Sequence, residues 1–213
     1  MGLDMYLNRF PRYKNVTAKE ITAIEDYFDW LKAKAEGREY ANCTLKKWCG
    51  YDESELPNKE TIDYFKKLLE VEDISEEVGY WRKANAIHAW FVDHVQDSID
   101  DCDYHHEVTK EILEELRDTC IKVVTGSVMM LGQVKNGATL VNGKWIDNLE
   151  PGKVIINPEI AEDLLPTQEG FFFGGTSYDE WYIENLEYTI KMINEVLETT
   201  DFENQMIFYR SSW

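Results

Sequence analysis

Two spacings of apolar residues alternate along this chain, one near 3.6 and one near 2, and they divide it into helices and strands. "LDMYLN" at the start has the strand character. Residues 17–20, "TAKE", form a capping box, in which Thr17 and Glu20 satisfy each other's exposed backbone donors. The helix it opens has Ile21, Ile24, Phe28 and Leu31 on one face and a stop at Gly37. A shorter segment over 42–51 carries Trp48, and a further helix begins near Asn58 with Ile62, Phe65 and Leu69 on its apolar side. The stretch "YWRKANAIHAWFVDHVQD", residues 80–97, predicts one continuous helix. An acidic loop, "DSIDDCD", separates it from a helix over about 108–124.

Residues 125–157 lose the helical period and gain glycines and β-branched side chains. Asn136-Gly137 and Asn142-Gly143 are both hairpin-turn signals, so one or two β-hairpins are expected, set into the domain as an insertion. "NPEIAEDLL" predicts a short helix with Asn157 as N-cap and Pro158 at its first position. "GFFFGG" has the composition of a buried strand ending in a glycine turn. "SYDE" at 177–180 is a second capping box, opening a helix through Leu186, Ile190, Ile193 and Leu197, and "QMIFYR" predicts a last strand. The expected fold is α+β: a helix-dominated single domain over 1–213, with a small, mostly antiparallel sheet and a β-hairpin excursion at 125–157.

Charge narrows the partners. The 213 residues include 41 acids and 22 bases, a formal net charge of −19. Such a field repels nucleic acids and anionic membranes and favours basic partners or plain solubility. The acids are spread along helices, as at Glu111, Glu114, Glu115 and Asp118, so mimicry of a nucleic acid is poorly supported. Cys43, Cys49, Cys102 and Cys120 form no CxxC, and neither a signal peptide nor an apolar run of spanning length is present, which predicts a reduced, cytoplasmic protein.

Candidate chemistry concentrates in two blocks. Read as a helix, 80–97 places Tyr80, Ala84, Ile87, Phe91 and Val95 on a core stripe, with Trp81, Asn85, His88, Val92 and Gln96 on the adjoining one and Arg82 just beyond. That arrangement suits a pocket wall, and equally a helix with a satisfied border histidine and snorkelling bases. "LLPTQEGFFFGGTSYDEWY" places a glycine turn before a helix N-terminus, where anions bind well, but Asp179 and Glu180 already occupy that positive end. Tyr178, Trp181 and Tyr182 offer planes for stacking or for packing. The acids of the "DSIDDCD" loop lack the alternation and glycine of an EF-hand, and no metal or cofactor is expected. No nucleophile signature such as GxSxG occurs, so no catalytic residue is assigned.

Three blocks, "MGLDMYL", "EVGYWRKANAIHAWFVDHVQDSIDDC" and "LLPTQEGFFFGGTSYDEWY", resemble a widespread phage-encoded family of mostly unassigned function. The 125–157 excursion and the helical region of 17–69 depart from the simpler family pattern. The resemblance implies a phage accessory protein working in the host cytoplasm, of the kind that counters host defence. Three functions follow as expectations. The first is a sponge that captures a nucleotide-derived immune signal without catalysis, through Trp81, Arg82, Lys83, Asn85, His88, Thr167, Gln168 and Tyr178. The second is an acidic protein–protein inhibitor of a host defence factor. The third is a nucleotide hydrolase using His88 with an acid from 97–101. Self-association into a homo-oligomer stays open.

Overall fold

A computed structural model describes residues 2–69, 75–102, 105–170 and 173–213, and it has the expected α+β fold. The first strand, β1 (Asp4–Pro11), leads to α1 (Ala18–Ala35), the short α2 (Leu45–Cys49) and α3 (Lys59–Leu69). Next come β2 (Glu76–Arg82), α4 (Asn85–Val95), β3 (His106–Val108) and α5 (Lys110–Gly126). The long hairpin β4 (Met129–Val141) and β5 (Lys144–Ile155) precedes α6 (Glu159–Leu164), α7 (Glu180–Thr199) and β6 (Gln205–Ser212).

The main sheet is antiparallel throughout, in the order β2-β1-β6-β3. Its centre is the pairing of the first and last strands, from Asp4 opposite Ser212 to Pro11 opposite Gln205. Alternation along these strands feeds two cores. Met5, Leu7, Ile207 and Tyr209 point into the larger one, with Phe91 of α4, Leu116 of α5 and Leu186 and Ile193 of α7. Phe10, Met206 and Phe208 point the other way, against Ile21 and Ile24 of α1 and Phe65 of α3. Both faces of the sheet are therefore covered.

Several expectations need correction. The helix predicted over 80–97 begins only at Asn85, because residues 76–82 form β2 and pair with β1, Trp81 opposite Met5 and Arg82 opposite Asp4. The apolar spacing fitted a helix, but the open edge of β1 offered backbone hydrogen bonds that the strand form satisfies. Asn157 does not cap α6. Its side chain closes the hairpin base instead, accepting from the Val128 N–H at 2.7 Å and donating to the Gly126 carbonyl at 2.8 Å. The cap of α7 is Asp179, not Ser177, and it accepts from the Trp181 and Tyr182 N–H groups. Phe171 and Phe172 of the expected "GFFFGG" strand lie outside the described residues, and Phe173 to Gly175 belong to no strand.

Other local signals are realised as read. The Thr17 capping box is present in full, and Gly37 follows α1 at φ 71°. Of the two Asn-Gly pairs, Asn142-Gly143 makes the two-residue turn, with φ 51° and 77° as a type I′ turn requires. Asn136-Gly137 instead falls where the register shifts between Lys135 and Ala138, a bulge in one continuous hairpin. No helix among the described residues is long and apolar enough to cross a membrane.

The two cores predict unequal costs. Phe208 is wholly buried between β6 and the α1–α3 layer. Truncation by Phe208→Ala should cost about 3–5 kcal/mol in urea unfolding, whereas Leu31→Ala, on the exposed side of α1, should stay within roughly 0.5 kcal/mol of the parent.

Candidate functional site

A cleft of about 1020 Å³ opens between the β2–α4 corner, the first turns of α7 and the hairpin. That volume sits at the upper end of small-molecule sites, about 300–1,000 Å³. One wall is residues 82–87. The chain turns sharply there, with Lys83 in the left-handed region at φ 59°, a strained conformation for a residue with a side chain. Gly174, at φ 95°, lies against it, and a Cβ on Gly174 would come within 3.0 Å of the Lys83 Cβ. Arg82 and Lys83 are both exposed, and their side chains make no hydrogen bond or ion pair among the described residues.

Immediately after this corner α4 starts without a side-chain cap. Its N-cap residue is Ala84, and residues 84–87 line the cleft. The first-turn N–H groups of a helix have no partner within it and carry a partial positive charge, so an uncapped start beside two free bases is suited to an anion. The contrast with α7 is direct, since its own start is closed by Asp179.

The opposite wall is one stripe of α7. Trp181, Glu184 and Tyr188 follow at three- and four-residue steps, all line the cleft and all are exposed. Two aromatic planes thus flank a free carboxylate. From the hairpin come Lys135 and Asp147, paired with each other at 2.7 Å.

Of the residues singled out in the sequence, the structure brings Arg82, Lys83, Asn85 and Thr167 to this cleft. The other four do not line it. Trp81 is buried, its indole N–H donating to the Thr189 hydroxyl at 2.8 Å, so it presents no face for stacking. Tyr178 packs edge-on against Tyr182, and its hydroxyl accepts from the Thr167 N–H. The Gln168 side-chain oxygen is buried without a hydrogen-bond partner among the described residues. Asn85 is a bracket: its amide donates to the Phe173 and Gly175 carbonyls at 3.1 and 2.8 Å, and its oxygen accepts from the Gln168 N–H at 3.0 Å. This ties Gln168, Phe173 and Gly175 to α4.

His88 lies in the core. Its Nδ1 is 2.7 Å from the Tyr209 hydroxyl, and its Nε2 is 3.2 Å from Asp100 Oδ2. Burial pushes its pKa below the ordinary value near 6.5, against a smaller upward pull from Asp100. The ring is therefore neutral at pH 7, with Nε2–H donating to Asp100 and Nδ1 accepting from Tyr209, whose own proton burial retains. The partnership of His88 with an acid of 97–101 exists, but His88 and Tyr209 are wholly buried, so this chain of hydrogen bonds locks α4 to β6 and meets no substrate. Cys120 is equally closed, its thiol pushed up to about 12 by burial. Among the described residues no group of His, Cys, Asp and Glu side chains could hold a metal ion. Asp103 of the acidic loop lies outside them.

Trp181 was visible beforehand as a residue able to stack or pack, but Glu184 and Tyr188 were missed. Their signal was an aromatic and an acid recurring off the Leu186–Ile190–Ile193 stripe. The uncapped start of α4 had no legible signal once the helix was placed too early.

Compared with known proteins, the chain matches no family model, no curated protein and no solved structure.

Two measurements check this geometry. Below pH 6.5 the unfolded chain protonates His88 while the folded chain resists it, so its contribution is complete above pH 6.5 and is lost as pH falls from there towards the lower folded pKa. Between pH 7 and 5 the parent's urea midpoint should fall relative to that of His88→Gln, the difference being the His88 contribution. Asn85→Ala leaves three loop groups without their partner and should cost about 1–3 kcal/mol, with faster hydrogen exchange at Gln168 and at Phe173 to Thr176.

Proposed function

We propose that the protein is a phage accessory protein that captures a nucleotide-derived small molecule in the cleft and does not turn it over. The observation that carries this reading is the pairing of an uncapped helix start, flanked by unpaired Arg82 and Lys83, with exposed aromatic planes on the facing stripe of α7. A phosphate would sit at the first turn of α4, between backbone N–H groups and the two bases. Trp181 or Tyr188 would stack on the base, and Glu184, between them, would accept from an exocyclic amino group. Capture without chemistry is favoured because the histidine best placed for acid–base work is sealed in the core. In a host cell, such binding would draw down a nucleotide signal in proportion to the amount of protein made.

Calorimetry against cyclic dinucleotides, ADP-ribose and mononucleotides tests the reading. At least one should bind stoichiometrically and be recovered unchanged after denaturation. Arg82→Ala should weaken binding roughly 10- to 100-fold, through a lost charge-assisted bond of about 1.5–3 kcal/mol. Trp181→Ala should weaken it about 5- to 100-fold, the range for loss of one stacked base. No heat with any of these ligands sinks the proposal, and released product converts it to the hydrolase alternative.

A further inference from the structure

The face that α7 turns to the cleft carries more than two aromatics. Trp181, Glu184, Asn185 and Tyr188 stand at positions i, i+3, i+4 and i+7, the set that shares one side of a helix, and all four line the cleft. Seven residues turn the helix through about 700°, some 20° short of two full turns, and advance it about 10.5 Å. Trp181 and Tyr188 therefore stand nearly one above the other, and both side chains lean toward the helix N-terminus. An aromatic ring held between two others needs about 7 Å between their planes, one contact of about 3.5 Å on each side. The helix spacing leaves room for it. Trp181 and Tyr188 are 55% and 46% exposed and meet no other ring among the described residues, so both planes are open.

The floor of this slot is polar and unoccupied by the protein's own bonds. Three acids line the cleft: Asp147 is paired with Lys135, Asp179 caps α7, and the Glu184 side chain has no hydrogen bond or ion pair among the described residues. Two carboxamides line it as well. Asn85 is committed to the Phe173 and Gly175 carbonyls and the Gln168 N–H, whereas the half-buried Asn185 side chain makes no hydrogen bond among the described residues. The slot thus sets a carboxylate, which only accepts, beside a carboxamide, which can donate.

Given capture in the cleft, on which this step rests, we infer that the slot reads guanine and that the captured ligand is a guanine nucleotide. The Watson–Crick edge of guanine presents two neighbouring donors, N1–H and the N2 amino group, and then the O6 acceptor. Glu184 accepts from both donors with its two oxygens, and the Asn185 amide donates to O6. Adenine offers the carboxylate one amino donor beside the lone pair of N1, and cytosine one beside the lone pair of N3. Each loses a charge-assisted bond and sets a lone pair against a negative charge. Stacking between Trp181 and Tyr188 tolerates any base, so Glu184 and Asn185 carry the discrimination.

Calorimetry on the full chain with two matched pairs tests this: GMP against AMP, and cyclic di-GMP against cyclic di-AMP. The phosphates within a pair are the same, so the difference reads the base. In at least one pair the guanine member should bind roughly 10- to 100-fold more tightly, the range for one charge-assisted hydrogen bond. Inosine monophosphate, which keeps N1–H and O6 but lacks the amino group, should fall between GMP and AMP. In Glu184→Gln the guanine preference should shrink to within about threefold, with the urea midpoint unchanged because Glu184 is exposed. Adenine members that bind as tightly as their guanine partners overturn the assignment and leave capture standing, as does a Glu184→Gln variant that keeps the preference. Silence from both pairs also overturns it, and capture falls with it only if ADP-ribose is silent too.

Discussion

Eight residue pairs join the first strand to the last, and the rest of the molecule is arranged around that ladder. With β1 and β6 at the centre, each contributes alternate side chains to two cores, so Ile207 and Tyr209 serve one layer of helices while Met206 and Phe208 serve the other. The remaining edges then have to be filled. The outer edge of β1 takes residues 76–82 as β2, and that of β6 takes the three residues of β3. Unpaired buried backbone groups are costly enough to override a helical spacing of apolar residues, and here they did.

Ending β2 at Arg82 forces the next helix to begin only three residues later, and the cleft owes its character to that crowded corner. Lys83 takes a left-handed conformation, Ala84 cannot cap, and the first turn of α4 lines the cleft without a side-chain cap. The side chains that follow divide the labour. Asn85 fastens Gln168, Phe173 and Gly175, His88 fastens α4 to β6 through Tyr209, and Arg82 and Lys83 make no hydrogen bond or ion pair among the described residues. A single short block thus holds the core together on one side and offers positive charge on the other.

The hairpin obeys different physics from the body. The body is stabilised by burial between sheet and helices and kept apart from other acidic surfaces by its own charge. The arm is nearly neutral, exposes large apolar side chains and has little of its surface covered. The cleft forms where these two regimes meet, lined by residues of both.

Local chemistry settled a good part of this in advance. The Thr17 capping box, the type I′ turn at Asn142-Gly143, the amphipathic α1, α5 and α7 and the terminal strands all follow from interactions within a few residues, which a sequence displays directly. The start of α4 did not, because residues 80–84 satisfy a helical pattern equally well and only the distant edge of β1 decides between the two. Asn157 and Asp179 were decided the same way: a residue able to cap took a tertiary partner in one case, and in the other a bridge from Asp179 to Val154 moved the cap by two positions. The site divided along that line as well. Arg82, Lys83, Asn85 and Thr167 could be singled out by residue type, but which of their neighbours faced water was set by a sheet pairing between residues some 75 positions apart, beyond the reach of any local period.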